Sequence, residues 1–309
     1  MERVAKPLRQ MGADILTSGG KPPVTLRPVP KLTGIDYVLP MASAQVKSAI
    51  LLAGLYAEGT TTVTEPAPTR DHTERMLRGF GVAIDTQGPR VRLVGRQKLG
   101  GTRIAVPGDI SSAAFFLVAG CLAGADDFVV ENVGINPTRT GILDILRLMG
   151  ANLVVHERAS QGGEPVADIE VRRSALRGIQ VPEELVPLAI DELPVLFIAA
   201  AAASGETVFT GAAELRVKES DRLAVMAEGL AAVGVPHELA PDGIRIEGGH
   251  RLRAATVDSH GDHRIAMSFA VASLLADGEL TVRDVANVGT SFPGFVETAR
   301  GCGLDVAVA

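Results

Sequence analysis

The sequence predicts an α/β fold built from repeated units of about 69 residues, with buried helices and strands outside them. Two recurring phrases predict it. The first is Leu8-Arg-Gln-Met-Gly12-Ala-Asp-Ile, which returns as Leu77-Arg-Gly-Phe-Gly81-Val-Ala-Ile and Leu146-Arg-Leu-Met-Gly150-Ala-Asn-Leu. Weaker copies stand at Leu230-Ala-Ala-Val-Gly234-Val and Ala299-Arg-Gly-Cys-Gly303-Leu-Asp-Val. The five glycines are 69, 69, 84 and 69 residues apart. A helix that stops at a glycine in the left-handed region and passes into a strand explains the phrase.

The second phrase is a polar start, a long helix of small apolar residues, a turn and a β-branched strand. Its copies begin near Met41, Gly108, Ile190 and Gly261, and run into Thr61–Thr64, Asp127–Val130, Thr207–Thr210 and Leu280–Arg283. The helices are apolar around most of their circumference, which marks buried helices rather than surface ones. Four units are complete, and residues 1–40 hold the back half of a fifth, so the chain is expected to begin in mid-unit. The 84-residue spacing contains extra residues at Gln161–Pro165 and around Pro182–Pro187. A domain boundary is expected there, near residue 177, dividing residues 1–176 from 177–309.

Composition narrows the function classes. Of 309 residues, 46% are apolar and 21% charged, enough for a large core and too ordered a mixture for a disordered chain. Thirty cations against 36 anions give a net charge of −6, which argues against a dedicated nucleic-acid binder. No apolar run reaches the roughly 18 residues of a membrane span. The longest is Ala113–Ala125, and Met1-Glu-Arg-Val does not open a signal peptide. Cys121 and Cys302 are 181 residues apart, so a reducing, cytoplasmic setting is expected and a disulfide scaffold or zinc ribbon is not. With no Trp and two Tyr, stacking on bases or sugars is not expected to dominate binding.

Each buried helix begins with residues suited to anions or protons. Helix N-termini offer unpaired N–H groups and partial positive charge, and so attract phosphate or carboxylate. Ser43, Asp109, Ser111, Asp191 and Asp262 could equally be plain N-caps. The run Glu214-Leu-Arg-Val-Lys218-Glu219-Ser-Asp-Arg222 is sharper. If a helix starts by Lys218, Lys218 and Arg222 are like charges at i,i+4 and at the positive end of that helix. An anionic ligand would remove the conflict; pairing with Glu219 and Asp221 on a solvated face would do so too. Asp262-His263-Arg264 puts another cation at a helix start, and Arg suits carboxylate or phosphate. His260 and His263 lack an evident third ligand, so no metal is expected. Arg70 and Arg139 sit in equivalent loops 69 residues apart, one of which could bind a ligand while the other is scaffold. Asp71, Glu74 and Arg75 read as helix-start pairing. Phosphate-loop, dinucleotide-binding and serine-hydrolase motifs are absent.

Taken together these stretches resemble the family of 3-phosphoshikimate 1-carboxyvinyltransferase, or EPSP synthase, and most of all its bacterial subclass with an Ala-Ser-Ala-Gln loop. The resemblance spans essentially the whole chain. It rests on Met41-Ala-Ser-Ala-Gln45, Thr69-Arg-Asp-His-Thr-Glu, Pro107-Gly-Asp-Ile-Ser-Ser112, Asn136-Pro-Thr-Arg-Thr-Gly141, Ile190-Asp-Glu, Leu215-Arg-Val-Lys-Glu-Ser-Asp-Arg222, Asp262-His-Arg-Ile-Ala-Met267 and Thr290-Ser-Phe-Pro293. It implies two domains, each an inside-out α/β barrel, with ligands in a cleft faced by helix N-termini. It implies transfer of the enolpyruvyl group of phosphoenolpyruvate to the 5-hydroxyl of shikimate 3-phosphate, by addition and elimination, with no metal or organic cofactor and in a monomer.

Carried over by position, the resemblance makes Asp191 the base on the 5-hydroxyl and places Glu219 beside the phosphoenolpyruvate methylene in proton transfer. Lys218, Arg222 and Arg264 would hold phosphoenolpyruvate, with Lys218 also reaching shikimate 3-phosphate. Ser43, Ala44, Gln45 and Arg70 would bind shikimate 3-phosphate, and Gln45 both ligands. The family's Lys-Ser-x-x-x-Arg stretch, its Asn-x-Gly-Thr loop, the arginine after that loop and one N-terminal strand have no counterpart here. About 105 residues of a six-unit chain would be missing, so the 309 residues alone are expected to turn over little. The alternatives are the sister transferase acting on UDP-N-acetylglucosamine, which uses a mobile-loop cysteine, and a non-catalytic anion-binding remnant.

Overall fold

The computed structural model describes residues 1–124 and 128–308. Its contacts divide the chain into two compact units, Met1–Val106 with Ser160–Glu164, and Pro107–Ala159 with Pro165–Ala309.

In the first unit α1 (Glu2–Gln10) leads into the hairpin β1 (Asp14–Ser18) and β2 (Lys21–Arg27), then β3 (Leu32–Thr33) and β4 (Asp36–Val38). There follow α2 (Ala44–Gly54), β5 (Ala57–Glu58), β6 (Thr60–Thr64), α3 (His72–Gly79), β7 (Ile84–Gln87) and β8 (Arg90–Val94). The main sheet has the order β4-β6-β8-β7. Its β4–β6 pair is parallel, as a crossover through a helix demands, and the other two pairs are antiparallel. Along β6, Thr61 and Val63 point inward while their neighbours are half-buried. Val63 joins Ile50 and Leu51 of α2, Leu77 of α3 and Leu93 of β8 in one core.

The second unit runs α4 (Ile110–Ala123), β9 (Phe128–Gly134), α5 (Gly141–Leu148), β10 (Asn152–Gln161), β11 (Glu164–Arg172), α6 (Leu193–Ala202), β12 (Gly205–Phe209), α7 (Arg222–Ala232), β13 (His237–Ala240) and β14 (Gly243–Gly248). It ends with β15 (Ala255–Asp258), α8 (His263–Ala272), β16 (Leu280–Arg283), α9 (Val288–Ser291) and α10 (Phe295–Gly301). Helices α4, α6 and α8 pack against one another. Each is buried on nearly every side, and in α6 every residue from Leu193 to Ala201 is inside. Three sheets carry the strands: β10-β11-β9, β12-β14-β13 and β15-β16. Helices inside and sheets outside are what the apolar helix sequences require. The strand expected from Asp127 is observed from Phe128; Asp127 itself lies outside the described residues.

The recurring glycine phrase is one local device used five times. Gly12, Gly81, Gly150, Gly234 and Gly303 all have positive φ, between 83° and 98°. In each, the next residue's N–H returns to a carbonyl five residues back, as in Ala13 to Leu8, Val82 to Leu77 and Ala151 to Leu146. This closes the helix end in the Schellman manner. The arginine of the phrase adds a second tie. Arg9, Arg78 and Arg300 each donate from Nε to the carbonyl six residues ahead, at Ile15, Ile84 and Val306.

The boundary expected near residue 177 is not where the contacts divide. Helix α4, which precedes residue 177, packs with α6 and α8, which follow it. Backbone bridges also join Arg177 to Ser204 and Gln180 to Val208. The longer glycine spacing has a local cause. The β10–β11 hairpin has strands of 10 and 9 residues, where the equivalent β7–β8 and β13–β14 hairpins have strands of 4 to 6. The extra residues lengthen one hairpin, whose tip at Ser160–Glu164 belongs to the first unit.

The tight α7–α8 contact gives a test of this packing. A Cβ on Gly229 would lie 2.2 Å from Cζ of the fully buried Phe269. Alanine gains about 1 kcal/mol of helix propensity there, but overpacking a fixed ring costs about 1–3 kcal/mol and backbone shifts besides. Gly229→Ala is expected to lower the urea unfolding midpoint; an unchanged or raised midpoint would show that the two helices separate freely.

Candidate functional site

The N-terminal ends of α6 and α8 carry the polar cluster of the second unit. Asp262 caps α8, its carboxylate accepting the Arg264 N–H at 3.0 Å. Its other oxygen accepts from Arg222 Nε at 2.8 Å and from Ser220 at 3.1 Å. Arg222 opens α7 and is almost fully buried, so its guanidinium needs several acceptors. Besides Asp262 it reaches Asp191 Oδ1 at 3.4 Å and pairs with Glu219. Lys218 Nζ lies 3.4 Å from the same oxygen of Asp191 and also pairs with the exposed Glu214. Arg264 donates to the Asp191 carbonyl at 3.1 Å. All five residues expected here, Asp191, Lys218, Glu219, Arg222 and Arg264, are therefore in one connected group.

One detail of the sequence reading is corrected. Lys218 is not in a helix; its backbone is extended, after a short 3-10 turn at Ala213–Val217, and α7 starts only at Arg222 under the cap of Asp221. The two cations are not stacked one turn apart on a helix. They approach Asp191 from separate backbone segments, and the chain's own carboxylates resolve their repulsion.

Beside this group lies a second set, made of the helix-start residues Asp109 and Ser111, the loop Arg139 and a residue with no expected role, Glu192. Glu192, the residue after Asp191, is buried at the start of α6 and accepts the Ser111 hydroxyl from the first turn of α4. Arg139 donates to Ser111 and, at 3.1 Å, to Asp109, and its Nη2 is 3.9 Å from Glu192. Of the two equivalent loop arginines, Arg139 is thus tied into the scaffold. Burial pushes the Glu192 carboxyl up, against the opposing pull of Ser111, Arg139 and Arg264. The signal for Glu192 was a carboxylate at the mouth of an otherwise apolar helix, which has no partner visible in sequence.

The first unit holds the other expected residues. Ser43 is the N-cap of α2, accepting the Val46 N–H, with Ala44 and the exposed Gln45 in the first turn. Gln45 accepts from Arg3 at 2.8 Å. Lys47, one residue further into the helix than Val46, is buried between Glu65 at 2.8 Å and Glu74 at 2.7 Å. Thr69 donates to Glu65, and Ser48 shares a 2.7 Å hydrogen bond with Thr73. These ties fasten the Thr69–Arg70 loop to α2, the helix that Ser43 caps. Arg75 forms the expected pair with Asp71 at 2.9 Å.

Other chemistry finds little footing. Cys121 is buried in α4, and burial alone pushes its thiol up to about 12, so it carries no thiolate at neutral pH. Among the described residues no group of three or more His, Cys, Asp or Glu is placed to hold a metal, and no helix is long and apolar enough to cross a membrane.

The profile of the family described as EPSP synthase (3-phosphoshikimate 1-carboxyvinyltransferase) matches residues 1–299. The chain belongs to the EPSP synthase family. The 3-phosphoshikimate 1-carboxyvinyltransferase of Nitrosococcus oceani is 58% identical over 99% of this chain and 69% of its own length. That of Alkalilimnicola ehrlichii is 60% identical over 98% and 68%. The EPSP synthase structure from Acinetobacter baumannii superposes with a TM-score of 0.94 at 57% identity, covering all of this chain and 72% of that one. The enolpyruvyl transferase NikO from Streptomyces tendae shares the fold, with a TM-score of 0.74 at 18% identity over 98% of this chain and 71% of that one. An α/β fold of the EPSP synthase type is therefore the fold of this chain.

Two predictions follow from the buried charges. Lys47→Ala leaves Glu65 and Glu74 buried without their cation, and is expected to cost about 3–5 kcal/mol. Neutralising both partners in Lys47→Met/Glu65→Gln/Glu74→Gln should recover much of that loss in chemical denaturation. Asp262 titrates in the other unit. Burial alone would raise its carboxyl, but the Arg222 hydrogen bond and charge, with the Arg264 N–H, hold it below the usual range. A depressed folded-state value means that Asp262 adds stability above its unfolded value near about 4, and that this is lost as pH falls through the lower folded value. Asp262→Asn should therefore destabilise by about 3–5 kcal/mol at pH near 7, with the gap to the parent protein closing in acid; a gap independent of pH would show that the charge is not involved.

Proposed function

We propose that this chain serves the reaction of its family, low turnover being expected of the 309 residues on their own: the enolpyruvyl group of phosphoenolpyruvate passes to the 5-hydroxyl of shikimate 3-phosphate, giving 5-O-(1-carboxyvinyl)-3-phosphoshikimate and phosphate. The observation that carries the residue assignment is the Asp191 carboxylate held between Lys218 and Arg222 at the mouth of α6. Asp191 is the base on the 5-hydroxyl. Two cations on one of its oxygens fix its direction, which a base needs before it needs strength.

Lys218, Arg222 and Arg264 bind the phosphoenolpyruvate carboxylate and phosphate, and Lys218 also serves shikimate 3-phosphate. Glu219 moves protons at the methylene carbon in this reading; its carboxylate is exposed and, among the contacts described, is joined to the cluster through Arg222. Ser43, Ala44, Gln45 and Arg70 bind shikimate 3-phosphate, with the first turn of α2 supplying N–H groups to its phosphate. Gln45 also touches phosphoenolpyruvate. A monomer acting on small molecules is the assembly that the family resemblance implies. Unpaired Cys121 and Cys302 support a cytoplasmic setting.

The test is phosphate release from phosphoenolpyruvate that depends on shikimate 3-phosphate, with the product identified by NMR. Asp191→Asn is expected to lower kcat by about 10²–10⁴-fold while the KM values move little; Arg264→Ala should raise the KM for phosphoenolpyruvate. Phosphate release with UDP-N-acetylglucosamine alone would favour the sister reaction. Protection by shikimate 3-phosphate without release would favour an anion-binding protein.

A further inference from the structure

Glu192 plays no part in the reaction proposed above, yet it is a buried carboxylate directly beside it. A carboxylate withdrawn from water is costly unless it is fully engaged. Here the engagement runs through a chain of contacts across two buried helices. Asp109 and Ser111 belong to the start of α4, Arg139 to the loop before α5, and Glu192 to the start of α6. Arg139 is held by Asp109 and Ser111, and the Ser111 hydroxyl donates a hydrogen bond to Glu192. The peptide that joins Asp191 to Glu192 is consequently gripped on both sides. Arg264 of α8 holds the Asp191 carbonyl, and Ser111 of α4 holds the Glu192 side chain. The three buried helices are all tied to this one dipeptide.

We infer that Glu192, through Ser111 and Arg139, is a positioning residue for Asp191: it locks the first turn of α6 so that the Asp191 carboxylate keeps its aim. The inference rests on the assignment of Asp191 as the base. What matters is an acceptor of the right length under the Ser111 hydroxyl. The negative charge itself is not required, and burial disfavours it. Glu192→Gln keeps the acceptor and Ser111→Thr keeps the donor. Glu192→Ala and Ser111→Ala each remove one side of the tie. Loss of aim at the reacting group costs rate rather than affinity.

The experiment combines steady-state kinetics with amide hydrogen exchange. Ser111→Ala and Glu192→Ala are expected to lower kcat by about tenfold, a figure in the range that misplacement costs, with both KM values within about twofold of the parent. Exchange of the amides of the first α6 turn should quicken in the same variants, with the remainder of the chain unchanged. Ser111→Thr and Glu192→Gln should restore both readouts. Equal loss in Glu192→Gln and Glu192→Ala would overturn the inference by showing that charge is what counts. Unchanged kcat in Ser111→Ala, or a KM that rises in parallel, would overturn it too. If Glu192→Ala fails to fold, Ser111→Ala decides alone. If the parent protein releases no phosphate, the assignment of the reaction fails separately; the exchange arm still decides whether this tie orders the Asp191 turn, and unchanged exchange in Ser111→Ala overturns the inference.

Discussion

The buried guanidinium of Arg222 is the constraint around which the second unit arranges its polar residues. A guanidinium cannot shed its charge by losing a proton, so it must be met by acceptors wherever it is buried. Only 1% of its side chain is exposed, and the acceptors come from three places in the chain: Asp262 at the head of α8, Asp191 ahead of α6, and Glu219 in the loop before α7. One side chain thereby fixes the relative positions of three helix starts. Asp262 answers two demands at once, since the same carboxylate caps α8 and neutralises Arg222. Apolar packing holds α6 against α8, but it does not by itself fix where their polar ends meet. The ion pairs fix that.

Much of this arrangement was legible in the sequence, and the reasons are local. A glycine that ends a helix must adopt positive φ, and five copies of one phrase announced five such ends, all of which adopt it. Apolar residues on every face of a helix leave it nowhere to go but inside. Lys218, Glu219 and Arg222 stood out because they break the usual placement of charge along a helix. Their actual resolution, with Lys218 in extended backbone, was beyond sequence because it depends on Asp191 from a distant segment.

The misreadings share a cause. A boundary near residue 177 was inferred from an irregular spacing, but spacing counts residues and does not say where they go. Here they lengthen a hairpin, while the contact that decides domain membership, α4 against α6 and α8, joins residues about 80 and 150 apart in sequence. Lys47 and Glu192 went unassigned for the same reason. Lys47 lies within a helix and Glu192 at the mouth of an apolar one, and their partners Glu65, Glu74 and Ser111 are recognisable only once the fold has brought them near.

Lys218 and Arg222 are not waiting unpaired for a ligand. Both are already matched, and the matches differ in kind. Asp262 is wholly buried under Arg222, whereas Glu214 and Glu219, the partners of Lys218 and Arg222, are 61% and 54% exposed. Exposed pairs of that sort are worth about 0–1 kcal/mol, so a ligand bearing phosphate and carboxylate can replace them at little cost. The buried pair cannot be replaced so cheaply, because opening it would strand both charges away from water. The cluster therefore divides itself into a fixed frame, Arg222 with Asp262, and a yielding edge, Lys218 with Glu214 and Glu219. On the proposed assignment, an anion docking at that edge would take over the Arg222 contact of Glu219 and free that carboxylate for the proton transfer assigned to it.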